Sequence, residues 1–472
     1  VSDRIEHDLL GERAVPAEVL WGINALRSSE STPLSGRNID PQLIHSYGTV
    51  KRACIIAARK TGAWSGNVAV AEAIEKASAE VASGLFDHAV IVDALAGGAG
   101  TGLNMNINEI IANRALELLG QAHGDYRIVS PVSDVNKFQS TNDTFPTALR
   151  HAAIVLLRDL EAGVVRLQEA LLAKEKEFAD VVKVGRTEYQ DAVLTTLGRE
   201  MGAYAEAIGR DRWRIYKCEE RLRTVNLGGT AIGTGITAPR DYIFAVVPAL
   251  CTLTGIGFAR AENLVEATQN ADVYVEVSGI LCALGANLQK IAGDLRFMSS
   301  GPQAGIGEIA LPALQAGSSI MPGKVNPVVP EAVMQAAMMQ QGLHAALCSA
   351  VGAGSLELNA FLPLIADALL QELRILTSAV IMFEKNCIRG ITVNREVCRR
   401  QVDNSIAVAT ALLPLLGYER MADVVAEASA GGATVKQIVI DRNFCTEAQF
   451  NDYTSPEAVC RLGMPQPQQQ GS

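Results

Sequence analysis

Five long stretches, nearly free of proline and rich in Ala, Leu, Val, Glu and Arg, constrain this chain more than any other feature. The first runs from Phe145 to Val182, with no proline after Pro146. The others run from Leu197 to Val225, Ala261 to Met298, Pro330 to Gly352 and Leu356 to Lys385. This composition favours long helices, and β-branched residues rarely alternate with polar ones, so strands should be few. The stretches are apolar on more than one side, which argues for helices buried by other helices. The expected fold is all-α, with a central bundle of long helices.

A chain of 472 residues is too long for one simple core. The character of the sequence suggests three domains: residues 1–141 with shorter helices and Gly-rich turns, the helical bundle over 142–396, and a small helical domain over 397–472. The tail from Pro465 to Ser472 is low-complexity and expected to be disordered. Half the chain is hydrophobic (49%) and 19% is charged, which favours extensive burial and an oligomer interface. The net charge of −10 argues against a nucleic-acid partner. Binding a small anion would therefore require positive charge focused locally. Nine cysteines without a C-x-x-C pair suggest reduced thiols in a cytoplasmic protein. There is no basic-then-apolar signal pattern and no run of about 18 uncharged apolar residues, so no membrane is expected.

Four polar islands interrupt the apolar sequence. They are Gly100-Thr-Gly-Leu-Asn-Met-Asn106, Gln139-Ser-Thr-Asn-Asp143, Gly185-Arg-Thr-Glu-Tyr-Gln-Asp191 and Gly317-Ser-Ser-Ile-Met-Pro-Gly-Lys-Val-Asn326. The last places two hydroxyls, a Pro-Gly turn, a cation and a carboxamide in one loop. A phosphate cradle fails on spacing: five residues separate Gly317 from Gly323-Lys324 where a P-loop has four, and Val325 offers no hydroxyl to Mg²⁺. Each island also has a plain structural reading. Ser140 to Asp143 are good N-cap residues for a helix starting near Pro146. Arg186 suits a structural ion pair, and Lys324 could cap a neighbouring helix. In combination, however, hydroxyls, amides and a cation are what two carboxylates need. All six histidines (His7, His45, His88, His123, His151, His344) lie outside the islands. A His-based triad or zinc centre has little support, so any proton chemistry falls to Ser or Thr.

At these residues the chain resembles the aspartase/fumarase superfamily. Gly317 to Pro327 looks like its signature. Gly97-Gly-Ala-Gly-Thr-Gly-Leu-Asn-Met-Asn106, Ser140-Thr-Asn-Asp143, Gly185 to Asp191 and Asn226-Leu-Gly-Gly-Thr-Ala-Ile-Gly-Thr-Gly235 match other segments. Arg4 to Pro16, Gly307 to Gly317 and Val328-Val-Pro-Glu331 resemble the ammonia-lyase branch more than the class II fumarases. The resemblance implies a homotetramer whose long helices form one core, each active site drawing on three subunits. It implies elimination of ammonia from a small dicarboxylate amino acid; a fumarase or a lyase for a substituted aspartate is the alternative, and a catalytically silent structural relative the remote one. No cofactor is required by it, and activation by a divalent cation stays open.

By the same resemblance Ser318 would be the general base, its pKa lowered by N–H groups of a closed loop. Thr101, Ser140, Thr141 and Ser319 would grip the carboxylate beside the proton lost. Lys324 and Asn326 would hold the other carboxylate, and Asn142, Thr187 and Glu188 would face the amino group. Position 188 departs from pattern, since relatives carry His or Gln there. A carboxylate suits a cationic amine better than a neutral hydroxyl, although Glu188 could instead pair with Lys324 or another cation. Leu194 stands where relatives have Pro, and Leu358 to Pro363 lacks a Glu common in aspartases.

Overall fold

The computed structural model describes residues 3–463, so the tail from Pro465 lies outside the described residues. In chain order, hairpin strands β1 (Asp3–Asp8) and β2 (Gly11–Pro16) precede helices α1 (Ile23–Ser31), α2 (Pro41–Lys60), α3 (Val68–Ala82) and α4 (Thr101–Leu118). The 37-residue α5 (Thr141–Glu177) leads to a second hairpin, β3 (Val182–Thr187) and β4 (Gln190–Thr196). Next come α6 (Leu197–Leu222), α7 (Arg240–Thr254), α8 (Leu264–Gln269), α9 (Asp272–Met298), α10 (Val328–Gly352), α11 (Leu362–Asn386) and α12 (Arg395–Asn404). Shorter helices follow as far as Cys460. The molecule is predominantly helical, as the long apolar stretches require. The two hairpins were not expected from the sequence.

The chain divides into two compact units. The first holds residues up to Glu161 with Trp213–Gly285 and Met338–Thr377; the second holds Ala162–Arg212, Ala286–Ala337 and everything from Ser378. The boundary falls inside α5, α6, α9, α10 and α11.

In the first unit α2 packs on α3 and α7, and its Leu43, Ile44, Tyr47, Val50 and Ile55 are all buried. The start of α5 shows why its sequence breaks pattern. Pro146 has no N–H to give the carbonyl of Asn142, one turn earlier. That carbonyl instead accepts from Asn226 Nδ2 at 2.9 Å. The proline thus opens a place for the Gly-rich segment 226–235 against the first turn of α5.

In the second unit, Val184 and Leu194 of the β3–β4 hairpin join a core with Val402, Leu412, Val424, Val439 and Phe450. This accounts for Leu194 where relatives have proline: its side chain packs in that core while its backbone pairs with Val184.

Candidate active site

The residues singled out from the sequence fall into two groups. Thr101, Ser140, Thr141 and Asn142 lie in the first unit; Thr187, Glu188, Ser318, Ser319, Lys324 and Asn326 lie in the second.

In the first group, two helix N-termini are brought side by side. Thr101 is the first residue of α4, exposed, behind Gly100 at φ +89°. No side chain caps α4; the Thr101 N–H donates to the Gly98 carbonyl at 3.0 Å, and the helix start carries the positive dipole end that suits an anion. Gly100 is required for close approach as well as for its φ: a Cβ there would stand 2.2 Å from the Phe145 ring. That ring belongs to the first turns of α5, so the absent side chain lets the helix starts meet. On α5 the expected capping is present, with Asn142 N–H donating to Ser140 Oγ at 3.2 Å. The helix begins at Thr141, earlier than the Pro146 suggested by the sequence.

Asp143 was legible only as a capping residue, but it does more. It is fully buried and accepts three backbone N–H groups, from Ser140 (3.0 Å), Gly228 (3.0 Å) and Thr230 (3.1 Å). Burial raises its carboxyl to about 6, against the pull of those donors. Together with Asn142 Nδ2, which donates to the carbonyl of Ala231 at 2.7 Å, it fixes the 226–235 segment to the α5 start. Replacing Asp143 with Ala would strand three donors and should cost about 3 kcal/mol. A lowered urea midpoint with unchanged slope would register this; an unchanged midpoint would contradict it.

In the second group, Thr187 and Gln190 close the β3–β4 hairpin, and Glu188-Tyr189 form its two-residue tip. Both tip residues have positive φ, +53° and +63°. A primed turn demands this, and Asn-Gly is the usual solution. Keeping Glu and Tyr there costs backbone strain, a pattern concentrated at functional sites. The Glu188 side chain is exposed and has no hydrogen bond or ion pair with any described residue. The pairing with Lys324 considered above is therefore not formed. Tyr189 rests on the Phe297 ring at 4.9 Å between centroids.

Arg186 has the structural role its type suggested. It donates to Glu308 Oε1 at 2.7 Å, and Lys183 pairs with the same fully buried carboxylate at 3.0 Å. Gln401 of α12 adds a contact to Arg186 (3.3 Å) and donates to the Ile306 carbonyl (2.9 Å). This network ties the hairpin to the segment that leads into the 317–326 loop.

That loop is closed on itself. Gly317 N–H donates to the Lys324 carbonyl at 2.8 Å, and Asn326 Nδ2 donates to the Gly317 carbonyl at 2.9 Å. A Cβ on Gly317 would lie 2.6 Å from the Lys324 carbonyl oxygen, so only glycine permits the closure. Met321-Pro322-Gly323-Lys324 makes a β-turn, with Gly323 at φ +83° and Lys324 N–H donating to the Met321 carbonyl at 3.3 Å. The fold of the loop aims two N–H groups at one oxygen. Ser318 Oγ accepts from Ile320 N–H at 3.2 Å and from Met321 N–H at 3.1 Å. Two fixed donors favour the ionised form of the group they face. Ser319 and Lys324 are exposed, and Lys324 forms no ion pair with the described residues. The loop thus carries a hydroxyl that accepts two backbone N–H groups and an exposed cation without a partner anion among the described residues, groups of the type that suit proton abstraction from a carbon next to a carboxylate. Among the described residues no three His, Cys, Asp or Glu side chains converge so as to hold a metal ion.

Fold and loop together define a lyase, and the chain belongs to the aspartase/fumarase lyase family. A family model described as lyase matches residues 11–342, and one for the fumarase C C-terminus matches 408–461. At the level of individual proteins, the chain is 43% identical over 461 residues to an aspartate ammonia-lyase of Bacillus sp, covering 98% of each. It is 44% identical over 459 residues to that of Pseudomonas fluorescens, covering 97% of this chain and 96% of the other. Among solved structures, a fumarate lyase:delta crystallin from Brucella melitensis bound to cobalt superposes with TM-score 0.92 at 42% identity, covering 96% and 99% of the two chains. The class II fumarase of Schistosoma mansoni gives 0.91 at 30% identity, covering 97% and 99%.

Proposed function

We propose that the protein is an aspartate ammonia-lyase, eliminating ammonia reversibly from L-aspartate to give fumarate. The observation that carries this reading is Ser318 Oγ held by two backbone N–H groups, in a chain 41–44% identical to several aspartate ammonia-lyases over nearly its whole length. Ser318, as alkoxide, takes a proton from the carbon beside the side-chain carboxylate of aspartate. The electron pair moves into that carboxylate, giving an aci-carboxylate with two negative charges. It then returns to form the carbon–carbon double bond while the C–N bond breaks, and the nitrogen leaves as ammonia. Thr101, Ser140, Thr141 and Ser319 stabilise the aci-carboxylate, each such donor contributing about 3 kcal/mol in comparable oxyanion sites. Lys324 and Asn326 hold the other carboxylate, and Asn142, Thr187 and Glu188 face the ammonium group. No cofactor takes part in these steps.

The family membership supports a homotetramer whose active sites each combine islands from three subunits. In that assembly the long helices would form the shared core, flanked by the domains at 1–141 and 397–472. No helix among the described residues is long and apolar enough to cross a membrane, and nine unpaired thiols fit a cytoplasmic setting.

A panel of L-aspartate, substituted aspartates and L-malate, with fumarate and ammonia both measured, tests the reading. Aspartate should be the best substrate; preference for malate would mark a fumarase instead. Glu188, unpaired at a strained tip, is assigned to selecting the amino substrate. Glu188→Gln should lower kcat/KM for aspartate by about tenfold while leaving any malate turnover nearly unchanged. An unaltered kcat/KM for aspartate would end that assignment.

A further inference from the structure

Lys51 takes no part in the steps above, yet its placement is unusual for a lysine. It is fully buried in the middle of α2. Its Nζ donates three hydrogen bonds, to Oδ1 of Asn104 (2.7 Å), Oδ1 of Asn136 (3.0 Å) and Oε1 of Gln139 (2.9 Å). These use every N–H of the ammonium on neutral amides, so its charge is offset only at longer range, by the buried Asp143 carboxylate. No carboxylate of the described residues forms an ion pair with it. Two of the acceptors sit directly behind the anion-gripping turns. Asn104 lies one turn into α4 from Thr101, and Gln139 immediately precedes Ser140. An unpaired buried charge is costly and survives where something else requires it. In a chain of net charge −10, a dianionic substrate supplies that requirement.

We propose that Lys51 is a positioning residue for the dicarboxylate: its ammonium locks the start of α4 to the start of α5, and its charge attracts the dianion held there. This rests on the lyase reading given above. The titratable groups facing it are Asp143 on α5, Cys54 and Tyr47 on α2 itself, and Tyr242 of α7 behind Cys54; no group of α3 acts on it. Burial lowers the Lys51 ammonium to about 7, with Cys54 and Asp143 opposing that fall. In the free protein Lys51 therefore loses its proton as pH rises through about 7. A bound dianion favours the charged form and moves that loss upward. Dicarboxylate binding above neutrality should then take up a proton, and affinity should weaken as pH rises.

Succinate, a diacid with no leaving group, is the probe, and calorimetry in two buffers of different ionisation enthalpy counts the protons. Wild type should take up protons on binding at about pH 8 and few or none at about pH 6. Lys51→Met should abolish the uptake and weaken binding by about ten- to a hundredfold. Equal uptake or equal affinity in the variant would overturn the proposal. If Lys51→Met fails to fold, wild type alone decides, since no uptake at about pH 8 is also contradictory. Failure of wild type to bind succinate at all would remove the lyase reading itself, and the Lys51 role with it.

Discussion

Replacing Ser318 with Ala is expected to lower kcat on aspartate by about 10²–10⁴-fold, the range for a lost general base, while KM changes little. The hydroxyl is the point on which Ile320 and Met321 N–H groups converge. Alanine removes the proton acceptor but leaves the loop closure intact, because Gly317, Lys324 and Asn326 make those bonds without Ser318. The variant should therefore bind succinate as tightly as wild type. A variant with more than about a tenth of wild-type kcat would show that another group takes the proton.

Lys324→Met should act in the opposite parameter. Lys324 is exposed, has no partner anion among the described residues, and its carbonyl, rather than its side chain, closes the loop. Removing the ammonium therefore leaves the local structure in place and deletes one charge from the substrate's binding set. A charge-assisted hydrogen bond contributes roughly 2–3 kcal/mol, so KM should rise about 30–160-fold. Because Lys324 also fixes which carbon faces Ser318, some loss of kcat should accompany it. Succinate affinity should fall in parallel with KM. An unchanged KM would assign the carboxylate to other groups.

The long helices were legible because composition over 20 or more residues overrides local detail, and four of the five both begin and end within six residues of the sequence estimate. The exception is the stretch from Ala261, where α8 is set apart and the long helix starts at Asp272. The two hairpins were hidden for a specific reason. The β3–β4 tip is Glu188-Tyr189, with positive φ at both residues and no Gly or Asn to signal the turn. The first hairpin turns through Leu9-Leu10, held by Asp8 Oδ1 accepting from Leu10 N–H at 2.8 Å and followed by Gly11 at φ +112°, with two leucines at the tip obscuring the turn.

At the site, the 317–326 loop was readable because Gly, Ser, Pro and Lys each carry local meaning at that spacing. Its two N–H groups on Ser318 were anticipated in kind, but their donors, Ile320 and Met321, are apolar residues whose side chains say nothing about backbone direction. Lys51 was missed altogether. It reads as half of an ordinary Lys51-Arg52 pair between Val50 and Ala53, and its three acceptors come from residues at least 53 positions away. Asp143 was seen as a cap, while its hold on Gly228 and Thr230 depends on a contact 85 residues distant. Local chemistry writes itself into sequence; long-range mooring does not.

The most direct measurement is the stoichiometry of a single reaction with L-aspartate, following fumarate by its ultraviolet absorbance and ammonia by a coupled assay. Fumarate and ammonia appearing in equal amounts with wild type, and both all but lost in Ser318→Ala, is the expected result. Fumarate formed from malate but not from aspartate would contradict it.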